Sequence, residues 1–178
     1  SIWETDEKPR QYLTVHGRAG DYKPLHPGQD AYYDKMITID LSKMESMIAL
    51  PFHPSNAWTI HEFLENAQEL LAKVEADAKR RFPKANPQLT GKIHDGAVWA
   101  DQGVIAGCSG GTYENICAVA DIIRGKSCGN GEFKLSVYPD SMPTYLELVK
   151  NGAVADIVSA GGIFRECFCG PCFGAGDT

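Results

Sequence analysis

No cysteine occurs before Cys108, although the chain of 178 residues carries six. More than half of it would lie outside any disulfide, which excludes a disulfide scaffold, and a domain this long needs no such staples. Free thiols point instead to a reduced, cytoplasmic compartment. Long apolar runs are missing too. None approaches the roughly 18 residues needed to cross a bilayer, so no membrane partner is expected. No charged-then-apolar leader opens the chain at Ser1. Basic residues are in the minority, 17 against 23 acidic ones, for a net charge of −6. That balance argues against a nucleic-acid partner, since a phosphate-binding surface normally needs excess Lys and Arg. The cluster Lys79-Arg80-Arg81 reads as a solvated helix end. There is no internal repeat and no low-complexity tract.

What is present, 43% hydrophobic and 22% charged residues, suits one globular domain or a large piece of something bigger. Residues 1–35, rich in Pro, Gly and charge with scattered aromatics (Trp3, Tyr12, Tyr22, Tyr32, Tyr33), read as an irregular segment wrapping a neighbouring surface. Met36 to Leu41 alternates as a strand would, with Ile37, Ile39 and Leu41 on one face. Pro51 and Pro54 break the next stretch. Thr59 and Glu62 form a capping-box signature, and apolar residues from Ile60 to Ala78 recur at helical spacing until Pro83. His61 on this helix has no partner at i+4 and reads as a surface residue. Phe82 to Gly91 is a polar connector.

From residue 97 the pattern becomes an alternation of short strands and helices. Val98–Ala100 and Val104–Ala106 are short apolar pieces, the second ending in Gly107-Cys108-Ser109-Gly110-Gly111. A helix follows with Tyr113, Ile116, Cys117, Ala120 and Ile123 on one face, stopped by Gly125. Phe133, Leu135 and Val137 alternate as a strand. Ser141 is an N-cap for a helix ending at Asn151-Gly152, and a shorter helix runs from Ala153 to Ala160. Ile163-Phe164 then starts a strand that leads to Cys167, Cys169 and Cys172. Such β-α-β-α-β order implies an α/β fold with a mainly parallel sheet, whose ligands collect beyond the carboxyl ends of the strands. Cys108 lies just past one such end and Cys169-Gly-Pro-Cys172 past another, so two groups of thiols distant in sequence point at the same rim.

The cysteines admit three chemistries. Buried cysteine often serves as a small hydrophobe, which suits Cys117; Cys128 and Cys167 read as structural or without a role. A C-G-P-C dithiol would need its first cysteine at a helix N-terminus, but Phe173 to Thr178 contains two glycines, a poor helix start. In the third chemistry, thiolates from Cys108, Cys169 and Cys172 hold three irons of a 4Fe-4S cluster and leave the fourth open. Nearby glycines allow close backbone approach to the sulfides. Zinc is the competing metal and would want a fourth ligand such as Cys167 on a crowded loop.

Several stretches resemble one family. Gly107-Cys-Ser-Gly-Gly-Thr-Tyr-Glu-Asn115 resembles the first cluster-cysteine segment of the aconitase family, and Val137-Tyr-Pro-Asp-Ser141 its proline-glycine-serine turn. Gly161-Gly-Ile163 with Cys169-Gly-Pro-Cys-Phe-Gly174 resembles the segment bearing its second and third cluster cysteines. Upstream, the Trp3 to Asp6 opening, Tyr33 to Ser42 and Pro51-Phe-His-Pro54 are also similar. The resemblance implies a hydro-lyase with a 4Fe-4S cluster on Cys108, Cys169 and Cys172, its open iron acting as Lewis acid on a hydroxy di- or tricarboxylate. It implies a three-layer α/β/α fold like the third, iron–sulfur domain of aconitase, with residues 59–178 as a cluster-binding domain truncated at its C-terminal end. Residues 1–58 would be an irregular segment with one strand, part of that domain or packed on it. The partners would be the remaining aconitase-like domains, which supply the base serine and substrate-binding arginines. The isolated segment is then expected to be inactive and free of cluster. Where the family has Thr-Asn after its first cluster cysteine, this chain has Ser109-Gly110, without the amide. That departure keeps open an alternative: a catalytically inactive, iron-sensing or partner-binding member. The catalytic residues are unassigned.

Overall fold

In the computed structural model, which describes residues 3–129 and 131–176, the regular elements in chain order are α1 (Glu7–Val15), β1 (Met47–Ala49), β2 (Ala57–Thr59), α2 (Ile60–Glu65), α3 (Ala67–Arg81), β3 (Ile93–His94), β4 (Ala97–Val98), β5 (Gln102–Ile105), α4 (Gly107–Gly110), α5 (Tyr113–Ile123), β6 (Lys134–Val137), α6 (Met142–Lys150), α7 (Ala153–Ser159) and β7 (Ile163–Phe164). They fall in two compact units. One holds the residues up to Tyr32 together with those from Asp101 onward; the other is Tyr33–Ala100. Among the described residues no helix is long and apolar enough to cross a membrane.

The first unit is built on the expected parallel sheet, in the order β5-β6-β7. Gln102 to Ile105 lie in register with Lys134 to Val137, and Ser136 and Val137 with Ile163 and Phe164. Leu135 and Val137, on one face of β6, pack with Ile116 and Ala120 of α5, Leu148 of α6, and Ala153 and Ile157 of α7. All three helices therefore cover the same face. Ser136 is 1% exposed and Tyr138 is also buried, so the central strand is covered on both sides where its sequence pattern suggested one polar face. Ser141 caps α6 as expected, accepting from the Thr144 N–H.

A close backbone contact fixes the turns that follow β5 and β6. The Gly111 N–H donates to the Gly107 carbonyl at 2.9 Å, and the Asp140 N–H to the Gly111 carbonyl at 2.8 Å. A β-carbon on Gly111 would collide with the Tyr138 carbonyl oxygen and come within 3.0 Å of the Asp140 nitrogen, whereas one on Gly110 would meet nothing within 4 Å.

The segment 1–35, expected to be irregular, contains helix α1. Asp6 caps it, its carboxylate accepting from the Lys8 N–H at 2.8 Å. Pro9 falls in the first turn, where a missing N–H costs no helical hydrogen bond, so the helix accommodates it.

In the second unit the expected strand over Met36–Leu41 does not form. Residues 36–40 have no regular structure and Leu41–Lys43 make a 3-10 turn. Ile37 and Ile39 are 86% and 65% exposed. Alternation supplies one face of a strand but not a partner edge. The strands that do pair are β1 and β2, antiparallel, with Ile48 opposite Trp58, and both side chains pack on Leu50, Phe63, Leu70, Leu71 and Val74. The capping box is present: Thr59 Oγ1 accepts from the Glu62 N–H at 3.1 Å and the Glu62 carboxylate accepts from the Thr59 N–H at 3.0 Å. That backbone hydrogen bond, foremost, holds the Glu62 carboxyl below its ordinary range. The single helix expected to Pro83 is two, because the Asn66 side chain donates back to the Glu62 carbonyl at 2.9 Å and its own backbone leaves helical geometry (φ −115°, ψ 17°). Asp95-Gly96, with φ of 50° and 77°, closes the β3–β4 hairpin, a two-residue turn of the kind these residues favour.

Replacing Leu148, fully buried, by alanine is expected to cost about 2–5 kcal/mol, read as a lower urea midpoint with unchanged slope. Gly111→Ala is expected to lower thermal stability well beyond Gly110→Ala. Equal midpoints for the two variants would contradict the close contact between the turns.

Candidate functional site

Because β5, β6 and β7 are parallel, their carboxyl ends open on one edge of the sheet. A cavity of about 290 Å³ lies there. The turn after β5 contributes Gly107 and Cys108, the turn after β6 Pro139 and Asp140, and the segment after β7 Cys167, Phe168 and Cys169. Cys172 is not part of that lining, but its Sγ lies against Gly107, where a β-carbon would come within 2.7 Å of the sulfur. Gly107 also has a φ of +84°, which a side chain would strain. Glycine at this position thus serves the turn and makes room for the thiol. The structure puts Cys108 and Cys169 on one cavity and Cys172 beside the residue preceding Cys108.

All six cysteines are free. Cys108, Cys169 and Cys172 are exposed, while Cys117, Cys128 and Cys167 are half-buried. Cys117 and Cys128 pack against the core of their unit, and the Cys117 Sγ is 3.3 Å from Asn151 Nδ2. Burial, reinforced by the carboxylates of Asp140 and Glu166, pushes the Cys167 thiol up from its ordinary value. After Cys169 the chain makes only a 3-10 turn at Pro171–Phe173, ended by Gly174 at φ +85°. Among the described residues no α-helix follows the C-G-P-C; Asp177 and Thr178 lie outside them. The described residues therefore do not provide the helix N-terminus that a reactive dithiol needs.

Among the described residues, no three Cys, His, Asp or Glu side chains gather closely enough to hold one metal ion. A four-iron cube carries each thiolate on a separate iron, so its ligands stand wider apart than the donors of a single ion. Soft, exposed thiols around a cavity with a glycine cradle fit such a group. His61, read as a surface residue without a partner at i+4, is exposed but does have one: its Nε2 lies 3.3 Å from the carboxylate of Glu65, four residues on along α2. The Ser109 carbonyl, next to Cys108, accepts from Asn115 Nδ2 at 2.6 Å. A larger, mainly apolar cavity of about 530 Å³ lies between α1 and the start of α5, its lining including Tyr12, Leu13, Thr112 and Tyr113. Glu114 there is ion-paired to Lys8 at 3.3 Å, and the cavity carries no thiol.

Sequence reasoning missed two contributors to the edge of the sheet. Asp140 lines the smaller cavity, and His16 reaches the adjacent Ser141, with Nε2 2.7 Å from Oγ. The Pro139-Asp140-Ser141 turn was a signal for the first. Nothing local marked His16, whose partner is 125 residues away.

The family model described as "Aconitase family (aconitate hydratase)" matches residues 1–178. The 3-isopropylmalate dehydratase large subunit of Clostridium beijerinckii and the 2,3-dimethylmalate dehydratase large subunit of Eubacterium barkeri are each 30% identical over 173 residues, 97% of this chain and 33% of the relative. The 3-isopropylmalate dehydratase large subunit of Clostridioides difficile is 26% identical over 176 residues, again 97% of this chain and 34% of the relative. The chain thus spans about a third of the length of the curated relatives it matches. The resemblance read from its cysteine segments holds over its whole length, and the chain belongs to the aconitase family.

Proposed function

We propose that this chain is the cluster-bearing segment of an aconitase-type hydro-lyase, with Cys108, Cys169 and Cys172 as ligands of a 4Fe-4S cluster. One observation carries this reading: thiols from the turns after β5 and β7 border the same edge of a parallel sheet. Membership of the family and the dehydratase names of its relatives support it. When bound, the cluster supplies a Lewis-acidic iron that helps a hydroxyl group leave a hydroxy di- or tricarboxylate. The chain's own residues have separate tasks. Gly107 holds the turn that aims Cys108 and leaves room for Cys172. Cys167, half-buried where the other three are exposed, is left out of the ligand set. Asp140 puts a carboxylate on the cavity wall.

The whole protein would bring further aconitase-like domains to this edge, carrying the carbon base and the groups that read the substrate's carboxylates. The sheet has a place for a second layer. Val104, Ser136 and Ile163 form one row across it, on the face away from α5, α6 and α7. In that row Val104 and Ile163, at the edges, are 41% and 36% exposed, while the central Ser136 is already covered. We read this as the face that completes a three-layer α/β/α arrangement. The alternative, a member that senses iron or binds a partner without catalysis, rests on Ser109-Gly110. A β-carbon at Gly110 would meet nothing within 4 Å, so the space for the family's amide is open.

Anaerobic reconstitution followed by iron and sulfide analysis is expected to give the stoichiometry of a four-iron cube and its absorption spectrum. Cys108→Ala, Cys169→Ala and Cys172→Ala should each lose it, while Cys117→Ala and Cys128→Ala should retain it. A full cube in Cys108→Ala would contradict the ligand set. The whole protein, once reconstituted, is expected to dehydrate at least one member of a panel of hydroxy di- and tricarboxylates. An intact cluster with no turnover on that panel would favour the sensing alternative.

A further inference from the structure

Strand order puts a carboxylate between the two groups of thiols. β6 lies between β5 and β7 in the sheet. Cys108 follows β5, Cys169 and Cys172 follow β7, and Asp140 follows the strand in the middle. Cys108, Asp140 and Cys169 all line the cavity at the sheet edge. A group held by thiols from both outer segments therefore spans the middle turn. That turn lines the cavity with Pro139 and Asp140, and of the two only Asp140 has a side chain able to bind a metal.

The carboxylate is anchored at one oxygen and unengaged at the other. The Asp140 N–H donates to the Gly111 carbonyl at 2.8 Å, which ties the residue to the turn that carries Cys108. The Ser141 hydroxyl donates to Asp140 Oδ1 at 2.9 Å, and Ser141 Oγ is itself 2.7 Å from His16 Nε2. Among the described residues, Oδ2 has no hydrogen-bond partner. An ionised carboxylate accepts at both oxygens, so Oδ2 is available to a cation while Oδ1 fixes the side chain's direction. Ligating carboxylates at metal sites are oriented by hydrogen bonds of this kind. The charge also faces the thiols: after burial, Asp140 helps to push up the thiol of Cys167. Asp140 stands where the proline-glycine-serine turn that this segment resembles has glycine, which carries no donor side chain.

We propose that Asp140 is a fourth protein ligand of the 4Fe-4S cluster, taking through Oδ2 the corner left open by Cys108, Cys169 and Cys172 until substrate displaces it. This rests on the cluster reading above and adds a ligand from within this chain. An oxygen donor suits the position. Thiolates are the natural partners of cluster iron, whereas a carboxylate is a harder donor and a weaker partner there. Asp140 can therefore yield to a hydroxy di- or tricarboxylate, which brings a hydroxyl and a carboxylate oxygen together. In the resting protein it keeps water from the corner and helps to retain the fourth iron. The exchange replaces one oxygen donor by others; no electron is transferred.

The test uses the anaerobically reconstituted whole protein without substrate. After one-electron reduction, its EPR signal should be no broader in oxygen-17-labelled water than in ordinary water, because Asp140 fills the fourth corner. Asp140→Gly should show the broadening, since water then binds there. Asp140→Gly and Asp140→Asn should also lose the fourth iron to ferricyanide about tenfold faster than the parent, read as growth of the three-iron EPR signal. Cys167→Ala should match the parent in both measurements. Broadening in the parent as large as in Asp140→Gly would overturn Asp140 as a ligand while leaving the three cysteines in place. Equal rates of iron loss in parent and Asp140 variants would do the same, as would broadening in Cys167→Ala but not in Asp140→Gly. A parent without a four-iron cluster would instead overturn the cluster reading, and this ligand with it.

Discussion

Parallel hydrogen bonding among β5, β6 and β7 is the constraint on which the site depends. Parallel neighbours cannot be joined by a tight turn, so the chain must cross back over the sheet between them. Here the returns are α5 and then α6 with α7, and their packing on Leu135 and Val137 makes the core. The same requirement sends every strand toward one edge. The ladder continues past the strand ends, with the Tyr138 N–H donating to the Ile105 carbonyl and the Arg165 N–H to the Val137 carbonyl, both at 2.8 Å. The three turns that carry Cys108, Asp140 and the C-x-C-x-x-C segment are therefore tied to the sheet at their roots.

Within that frame, side chains are removed where backbones or sulfurs must approach. Gly111 lets the first turn touch the second, and Gly107 leaves space for Cys172. Burial then sorts the thiols. The three proposed ligands are exposed at the rim, whereas Cys117, Cys128 and Cys167 are half-buried, the first two packed against the core. A reactive group on a turn rooted in a rigid sheet combines access with fixed position, which a cofactor shared by two distant chain segments needs.

Much of the fold was legible in the sequence where its signals are local. Strand and helix alternation after residue 97, the Ser141 cap, the stop at Asn151-Gly152 and the Thr59–Glu62 box each depend on a few neighbouring residues, and each is present. The failures involve partners that local pattern does not contain. Met36 to Leu41 alternates like a strand but has no neighbour to pair with, while β1 finds one across two prolines. Asn66 splits a well-patterned helix with a single side-chain hydrogen bond. Asp95-Gly96, beyond the connector read to Gly91, was a readable hairpin turn that went unassigned. The contact between His16 and Ser141 joins positions too far apart for any periodicity to reveal. Family membership was legible from the cysteine segments, while the roles of individual thiols depend on how the turns meet in space.

The most direct measurement is the mapping, by mass spectrometry, of a short thiol-to-thiol cross-linker applied to the native, metal-free chain. The expected result is a bridge between the peptide containing Cys108 and the peptide containing Cys169 and Cys172, formed ahead of any involving Cys117 or Cys128. Bridging confined to Cys169 and Cys172, with Cys108 modified singly, would contradict a shared rim and with it the proposed site.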